Sequence, residues 1–192
     1  REMLTDTPTN KPKRPFIWSM HRTLLSENSK TNSQIRSDTG IALSNDQINA
    51  IIGTTNIQGL TTTQVASLTT AQIANLRTTA FEQASSVQIA ALTSTQIVKL
   101  TAEDITALTS QGVAALSTDN IKVLTGTQMA AIDTADLANM TTSQVAVITS
   151  SQVRSLSTEQ IAAFTTAQVT NLTTDQMVAL NTVQVPAMTT AQ

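Results

Sequence analysis

Apolar residues recur along this chain with a strict period of eight. Counting from Ile52 in steps of eight, all eighteen positions up to Met188 are apolar, and no insertion interrupts the series. A second apolar residue follows each of the first seventeen after five positions, from Ile57 to Val185. We number each octad from the first of these residues, so that positions one and six are apolar. Such a tandem pattern indicates a repeat architecture.

The octad is incompatible with one long helix or one long strand. In a continuous helix, eight residues advance the apolar stripe by about 80° per repeat, so no apolar face would form. In a continuous strand, positions one and six would point to opposite sides. The pattern therefore predicts a short element in every octad, followed by a bend.

The polar positions identify that element as a capped helix. Position two is Thr, Ser, Asp or Asn in sixteen of the eighteen octads, and position five is Gln in twelve. Thr-x-x-Gln is a capping box, in which each side chain bonds the backbone N–H of the other residue. The apolar positions one and six then form a hydrophobic staple across the helix start. Each octad is thus predicted to hold a helix of about one and a half turns.

Helices this short need neighbours, because isolated helices below about 12 residues are marginal in water. The prediction is an all-α solenoid over residues 43–192, preceded by a basic N-terminal arm and linker over residues 1–42. If two octads make one coil and coils stack at about 8–10 Å, the rod is roughly 70–90 Å long. The Thr- and Val-rich composition keeps a β-solenoid as the alternative.

Several octads depart from the pattern. Arg77 replaces the cap residue in one octad and Gly112 replaces the glutamine in another; both indicate either drift in a redundant array or a bend or contact site. Pro186 is expected to weaken one short helix, because proline lacks a backbone N–H. No polar capping repeat follows the last octad, so we expect either more chain there or a second copy over the open end.

Charge is unevenly distributed between the arm and the repeats. The net charge is -2, but residues 1–40 hold seven Lys/Arg against four acids, and the remainder holds four against nine. We predict that the arm is partly helical and docks on an acidic solenoid, its own or a neighbour's. The alternatives are that the arm is disordered or that it binds an anionic partner such as nucleic acid or a membrane surface. Its four basic residues Lys11, Lys13, Arg14 and Arg22 are few for nucleic acid, which we do not expect as a partner. The predicted contact residues are Lys11, Lys13, Arg14, Phe16, Ile17, Trp18, Met20 and Arg22.

The sequence offers little for catalysis or metal binding. His21 is the single histidine and there is no cysteine, so the usual metal ligands are not clustered. The many Ser and Thr residues have no neighbouring base to activate them. No apolar run approaches the roughly 20 residues of a membrane-spanning helix. We therefore predict no enzyme activity, no cofactor, no metal and no membrane span.

The octads LTTAQIANL, LSTEQIAAF and LTTDQMVAL resemble the tandem repeats of very long bacterial surface and secreted proteins. Those proteins are often labelled heme-utilisation or adhesion proteins, or RTX-like. The resemblance covers residues 43–192 and implies an extended scaffold at the cell surface or in the extracellular matrix. The label also implies heme, for which the sequence supplies only His21, outside the repeats, and scattered methionines.

The sequence thus predicts a structural, non-enzymatic protein of bacterial origin, extracellular or on the cell surface. It would be a rod-like scaffold or a filament subunit, assembling head to tail through the arm; contacts of this kind do not close and give open filaments. The alternative is an adhesin-type spacer or binding module that presents a threonine-rich face to polysaccharide or ice. The capping argument opposes that alternative at position two, where the hydroxyls are used within the helix, and leaves position three free.

Overall fold

The computed structural model describes Ile57 and residues 60–188. These residues form fifteen short α-helices in tandem, one per octad, and contain no strand. The β-solenoid alternative is therefore wrong for this part of the chain. The helices are α1 Thr62–Ser67, α2 Thr70–Ala74, α3 Thr78–Glu82, α4 Ser86–Ala90, α5 Ser94–Ile97, α6 Ala102–Thr106, α7 Ser110–Ala115, α8 Thr118–Val123, α9 Gly126–Ala130, α10 Thr134–Asn139, α11 Thr142–Ala146, α12 Ser150–Ser155, α13 Thr158–Ala162, α14 Thr166–Val169 and α15 Thr174–Ala179, followed by the 3₁₀ helix η1 Val185–Ala187.

Most of these helices start at the predicted capping box. At α9, the Thr125 hydroxyl accepts the Gln128 backbone N–H at 3.2 Å, and the Gln128 Oε1 accepts the Thr125 N–H at 2.8 Å. Eleven of the fifteen described helices carry the complete box. Helices end after four to six residues, because the chain must become extended again to reach the next cap.

The helices stack in three columns, since each packs on the helix three places further along the chain. Column A holds α1, α4, α7, α10, α13 and η1; column B holds α2, α5, α8, α11 and α14; column C holds α3, α6, α9, α12 and α15. A coil therefore has three octads, or 24 residues. The expectation of two octads per coil was wrong, because the octad requires a bend without fixing the angle through which the chain turns.

A continuous apolar core runs along the axis between the three columns. Positions one and six supply it: from Ile57 to Ile161, every position-six side chain is at most 3% exposed. Positions two, four and seven mostly face solvent. Residues 60–188 make a little over five coils, so at the usual spacing of packed helices this part of the rod is about 40–55 Å long, shorter than the two-octad estimate for the whole repeat region.

The last described octad departs from the others as its proline predicts. Instead of an α-helix it forms only η1, in which Pro186 occupies the first turn. The missing N–H of proline does not prevent the single short turn, and the octad remains stacked on α13. The proline thus weakens the helix without removing the octad from its column.

Candidate functional site

Buried glutamines at position five connect the coils. Gln144, which is 2% exposed, shows the arrangement. Its Oε1 accepts the backbone N–H of Thr141 at 2.8 Å, which completes the capping box. Its Nε2 donates to the carbonyl oxygens of Val113 at 2.9 Å and Leu116 at 2.7 Å, both in the preceding coil. One side chain therefore caps its own helix and ties that helix to the coil below.

The same geometry recurs throughout the described coils, and we call it the glutamine ladder. Each Nε2 donates to the carbonyl 28 residues earlier at 2.7–2.8 Å and to a second one 30 or 31 residues earlier. These acceptors are the position-one residue that follows a helix, such as Leu116, and a residue in the last turn of that helix, such as Val113. Carbonyls at the C-terminal end of a helix have no N–H from a following turn to fill all their acceptor positions. The ladder consists of Gln88, Gln96, Gln128, Gln144, Gln152, Gln160, Gln168, Gln176 and Gln184.

The ladder leaves the buried polar groups satisfied. No buried side-chain nitrogen or oxygen in the described residues lacks a hydrogen-bond partner. Sequence reasoning found only the capping half of the glutamine's role. The missed signal was that no octad has Glu at position five, although Glu completes a capping box as well as Gln does. Only the amide also supplies donors to the neighbouring coil.

Asn120 is a shortened version of the same connection. Its Nδ2 donates to Leu92 O at 2.9 Å, again 28 residues earlier. Its Oδ1 accepts from the Ser94 hydroxyl at 3.1 Å, 26 residues earlier. The shorter side chain reaches one carbonyl instead of two, and a position-three hydroxyl from the coil below adds the second contact.

Two buried aspartates occupy position five in other octads, and the hydrogen bonds between coils run in the opposite direction there. Asp104 accepts the Thr101 N–H at 2.9 Å and the Thr78 hydroxyl at 3.3 Å. Asp136 likewise accepts from the Ser110 hydroxyl in the coil below. A carboxylate has no N–H to offer, so here the earlier coil donates and the later coil accepts. Asp104 lies in the first turn of its helix, where a negative charge is favourable, and it also contacts the coil below.

The two irregular octads keep their helices in place. α3 begins at Arg77 without a side-chain cap bond. In α7, the Thr109 hydroxyl still caps the Gly112 N–H at 3.2 Å, but no carboxamide extends from position five. Both helices remain in their columns. The array therefore tolerates the loss of a single cap or a single ladder residue.

Titratable chemistry is sparse in the part of the chain that the structure describes. No group of three or more His, Asp or Glu side chains there could hold a metal ion. A hydrogen bond with its own backbone, followed by bonds from Ser157 and Thr158, lowers the pKa of the exposed Glu159 carboxyl, as is usual at a helix start. Glu82 and Glu103 line an open depression on column C together with Thr78 and Thr106.

The predicted contact residues of the arm, Lys11 to Arg22, lie outside the described residues, as do His21 and the boundary between residues 42 and 43. Docking of the arm therefore stays a prediction. Within residues 60–188 the longest helices have six residues, and none could cross a membrane.

Apolar side chains become exposed in the last described coil. The position-six residues Met177 and Val185 are 42% and 53% exposed, whereas their counterparts in the earlier coils are buried. We call the surface formed by Val169, Leu172, Met177, Leu180 and Val185 the end face. It is the side of the last coil on which another coil would stack.

Comparison with known proteins finds a family match for the second half of the described solenoid. A family model described as the ALTTAQ repeat matches residues 129–166 and 161–190. Residues 129–190 are therefore similar to ALTTAQ repeats. The ALTTAQ match supports a tandem short-repeat region and carries no heme-utilisation, adhesion or RTX label. No curated protein and no solved structure matches the chain.

Proposed function

We propose that this chain is a non-enzymatic structural protein that serves as a rod-like scaffold or filament subunit outside a bacterial cell. The observation that carries the proposal is the glutamine ladder. In each coil, the buried polar side chains bond the coil beneath them, and the apolar core continues from one coil to the next. The specialised residues of the repeat thus hold the array together along its axis.

The ladder favours a stiff rod. Bending would separate neighbouring coils on one side and break buried amide–carbonyl bonds there. Leaving such groups unsatisfied costs about 1–3 kcal/mol each. Ladder residues occur in all three columns, for example Gln160 in column A, Gln144 in column B and Gln152 in column C. Bending is therefore opposed in every direction around the axis.

The location and mode of assembly come from the sequence. The resemblance to repeats of bacterial surface and secreted proteins supports an extracellular or cell-surface location. The basic arm and the acidic repeats support head-to-tail assembly of copies, with polysaccharide or the cell surface as a further partner. No cofactor is needed for this role.

A binding module is the second candidate, supported by a column of exposed threonines. Thr101, Thr125, Thr149 and Thr173 occupy position two in successive coils of column C. Each hydroxyl accepts a backbone N–H from its own helix, which uses one of its two lone pairs and leaves its hydrogen and the second lone pair for an external partner. Ice or polysaccharide binding by the monomer, measured as thermal hysteresis or glycan retention, would favour this candidate.

Electron microscopy of the untagged protein near neutral pH tests the structural proposal. We expect filaments at low salt that become shorter at high salt, because charge attraction between arm and repeats is screened. Deletion of residues 1–40 should abolish assembly. Isolated short rods at every salt concentration would contradict a filament and favour a spacer or binding module, and polymers formed by the deletion variant would refute docking through the arm.

A further inference from the structure

One contact between successive coils has no glutamine at position five in any of its three columns. The coil of residues 100–123 packs on the coil of residues 76–99. Its position-five residues are Asp104 in column C, Gly112 in column A and Asn120 in column B. Every other set of three consecutive octads within residues 60–188 has Gln in at least one of these places.

Hydrogen bonds from position five across this contact are few. Asn120 donates to a single backbone carbonyl, that of Leu92, at 2.9 Å. Asp104 as a carboxylate can only accept, and across the contact it accepts from the Thr78 hydroxyl at 3.3 Å. Gly112 has no side chain and contributes no ladder bond. The contact therefore contains one amide–carbonyl bond from position five.

A contact further along the chain shows the complete arrangement. In the coil of residues 148–171, the position-five residues are Gln152, Gln160 and Gln168. Each of them donates to at least two carbonyls 28–31 residues earlier, at 2.7–3.4 Å. The three columns of this contact are thus all tied by amides, whereas only column B is tied by one at residues 100–123.

The apolar core still holds the sparse contact together. The position-six residues Ile105, Val113 and Ile121 are at most 1% exposed. A Cβ added at Gly112 would meet the Ile89 Cγ1 of the coil below at 3.6 Å, so the two helices are in ordinary packing distance. Hydrophobic packing is non-directional, whereas a hydrogen bond weakens steeply when its geometry changes. The two coils therefore stay in contact while their relative tilt is less restrained.

We infer that the contact between residues 76–99 and residues 100–123 is a joint at which the rod bends. From residue 144 to residue 184 every octad has Gln at position five, so this later part moves as a stiff segment. The joint is the exception to the stiffness that the glutamine ladder gives elsewhere. The inference goes beyond the proposed scaffold, because it concerns flexibility within one chain and does not require assembly.

Spin labels on matched pairs of residues test the joint. The chain has no cysteine, so pairs of cysteine substitutions can carry nitroxides for distance measurement by dipolar electron paramagnetic resonance. Thr95→Cys with Ser143→Cys spans the joint and the contact after it. Asp119→Cys with Ala167→Cys spans that same next contact and the glutamine-rich one beyond it. All four residues are exposed at position four of column B, so the two pairs differ only in the contact under test.

We expect a wider distance distribution for the pair that spans the joint than for the control pair. Asp104→Gln together with Asn120→Gln supplies ladder amides in two columns and should narrow the wider distribution to the width of the control. Asp136→Gln is the matched substitution, because the next contact already holds Gln128 and Gln144, and it should change the width less. Circular dichroism verifies folding, and dilution with unlabelled protein removes distances between copies.

A converse variant keeps the test decisive if the longer side chains disturb the fold at the joint. Gln152→Asn with Gln168→Asn shortens two amides in the glutamine-rich contact and should widen the distribution of the control pair. Equal widths of the two pairs in the unmodified background would overturn the inference. So would a control pair that the converse variant leaves unchanged, or a joint pair that stays wide in a folded Asp104→Gln, Asn120→Gln variant. These distances are measured within one chain, so they leave the proposed assembly untouched.

Discussion

At the scale of single residues, the amide of glutamine explains why the octad is so restricted. Oε1 completes the capping box, as the sequence predicts, while the two hydrogens on Nε2 satisfy carbonyls of another coil. A glutamate side chain could complete the capping box but could not donate to the carbonyls of the other coil. The identity of the residue is therefore determined by a contact about 30 positions away, which local helix rules do not describe.

Replacing Gln144 with Glu separates these two roles. The Gln144→Glu variant keeps an acceptor for the Thr141 N–H but places a buried carboxyl against the carbonyls of Val113 and Leu116. We expect a loss of about 2–4 kcal/mol in the free energy of unfolding at neutral pH, measured by urea denaturation.

The loss should shrink at acid pH. Burial raises the pKa of a carboxyl in the folded protein, so the ionisation penalty is absent below the ordinary pKa of glutamate in the unfolded chain and grows as the pH rises from there to the raised pKa of the folded protein. Gln111→Glu is the control, because Gln111 is exposed at position four, and it should change stability by less than about 0.5 kcal/mol. Equal effects of the two variants would contradict the ladder's contribution.

Asp136 permits the opposite experiment, in which a donor is added. Asn120 shows that an asparagine at position five reaches the carbonyl 28 residues earlier. Asp136→Asn should form the same bond to Leu108 O while retaining its contact with Ser110, and should stabilise the fold by about 1 kcal/mol. Asp133→Asn, at an exposed cap position, should be near neutral. A lower denaturation midpoint for Asp136→Asn would show that the site requires a carboxylate.

At the scale of the element, the helix starts could be predicted because their determinants lie within six consecutive residues. The caps at position two and the staple between positions one and six are local, and the structure confirms them in most octads. The irregular octads show how little each helix depends on one residue. α3 forms without a side-chain cap and α7 forms around Gly112, because stacking in the column supplies what the local interactions lack.

Glycine positions test how closely the helices pack. A Cβ added at Gly112 would meet its nearest neighbour, the Thr109 hydroxyl, at 3.5 Å, which is an ordinary contact. Gly112→Ala should therefore stabilise the protein by about 0.5–1 kcal/mol through its helix propensity. The same change at Gly126 meets the Ser155 Cβ at 3.2 Å, so Gly126→Ala should gain less or destabilise. Thermal melting compares the two, and a larger gain at Gly126 would refute the packing argument.

At the scale of the whole molecule, the repeat architecture and the short helices were predictable, whereas the number of octads per coil was not. The octad determines where the chain bends; the turn angle depends on how three helices pack around one core and on side chains 28–31 residues apart.

The equivalence of octads predicts tolerance to deletion in units of eight. When residues 140–147 are removed, the glutamines of the next coil face carbonyls one octad before their original partners, at equivalent positions of the repeat. The ladder can therefore form again. We expect the melting temperature to change by less than about 4 °C and the far-ultraviolet circular dichroism per residue to be preserved. Removal of residues 140–143 leaves half an octad and disrupts the columns, which should lower the melting temperature by about 10 °C or more. Similar losses in both variants would refute the equivalence.

The direction of the ladder bonds has a consequence for how the chain acquires its structure. Every ladder amide bonds backward, to backbone that was synthesised 28–31 residues before it. The loop that must close is the same length in the first coil and in the last, so its entropic cost does not grow with the number of octads. A chain leaving a ribosome or an export pore N-terminus first can therefore add one finished coil at a time, and even a very long array of such octads folds with the contact order of a small one.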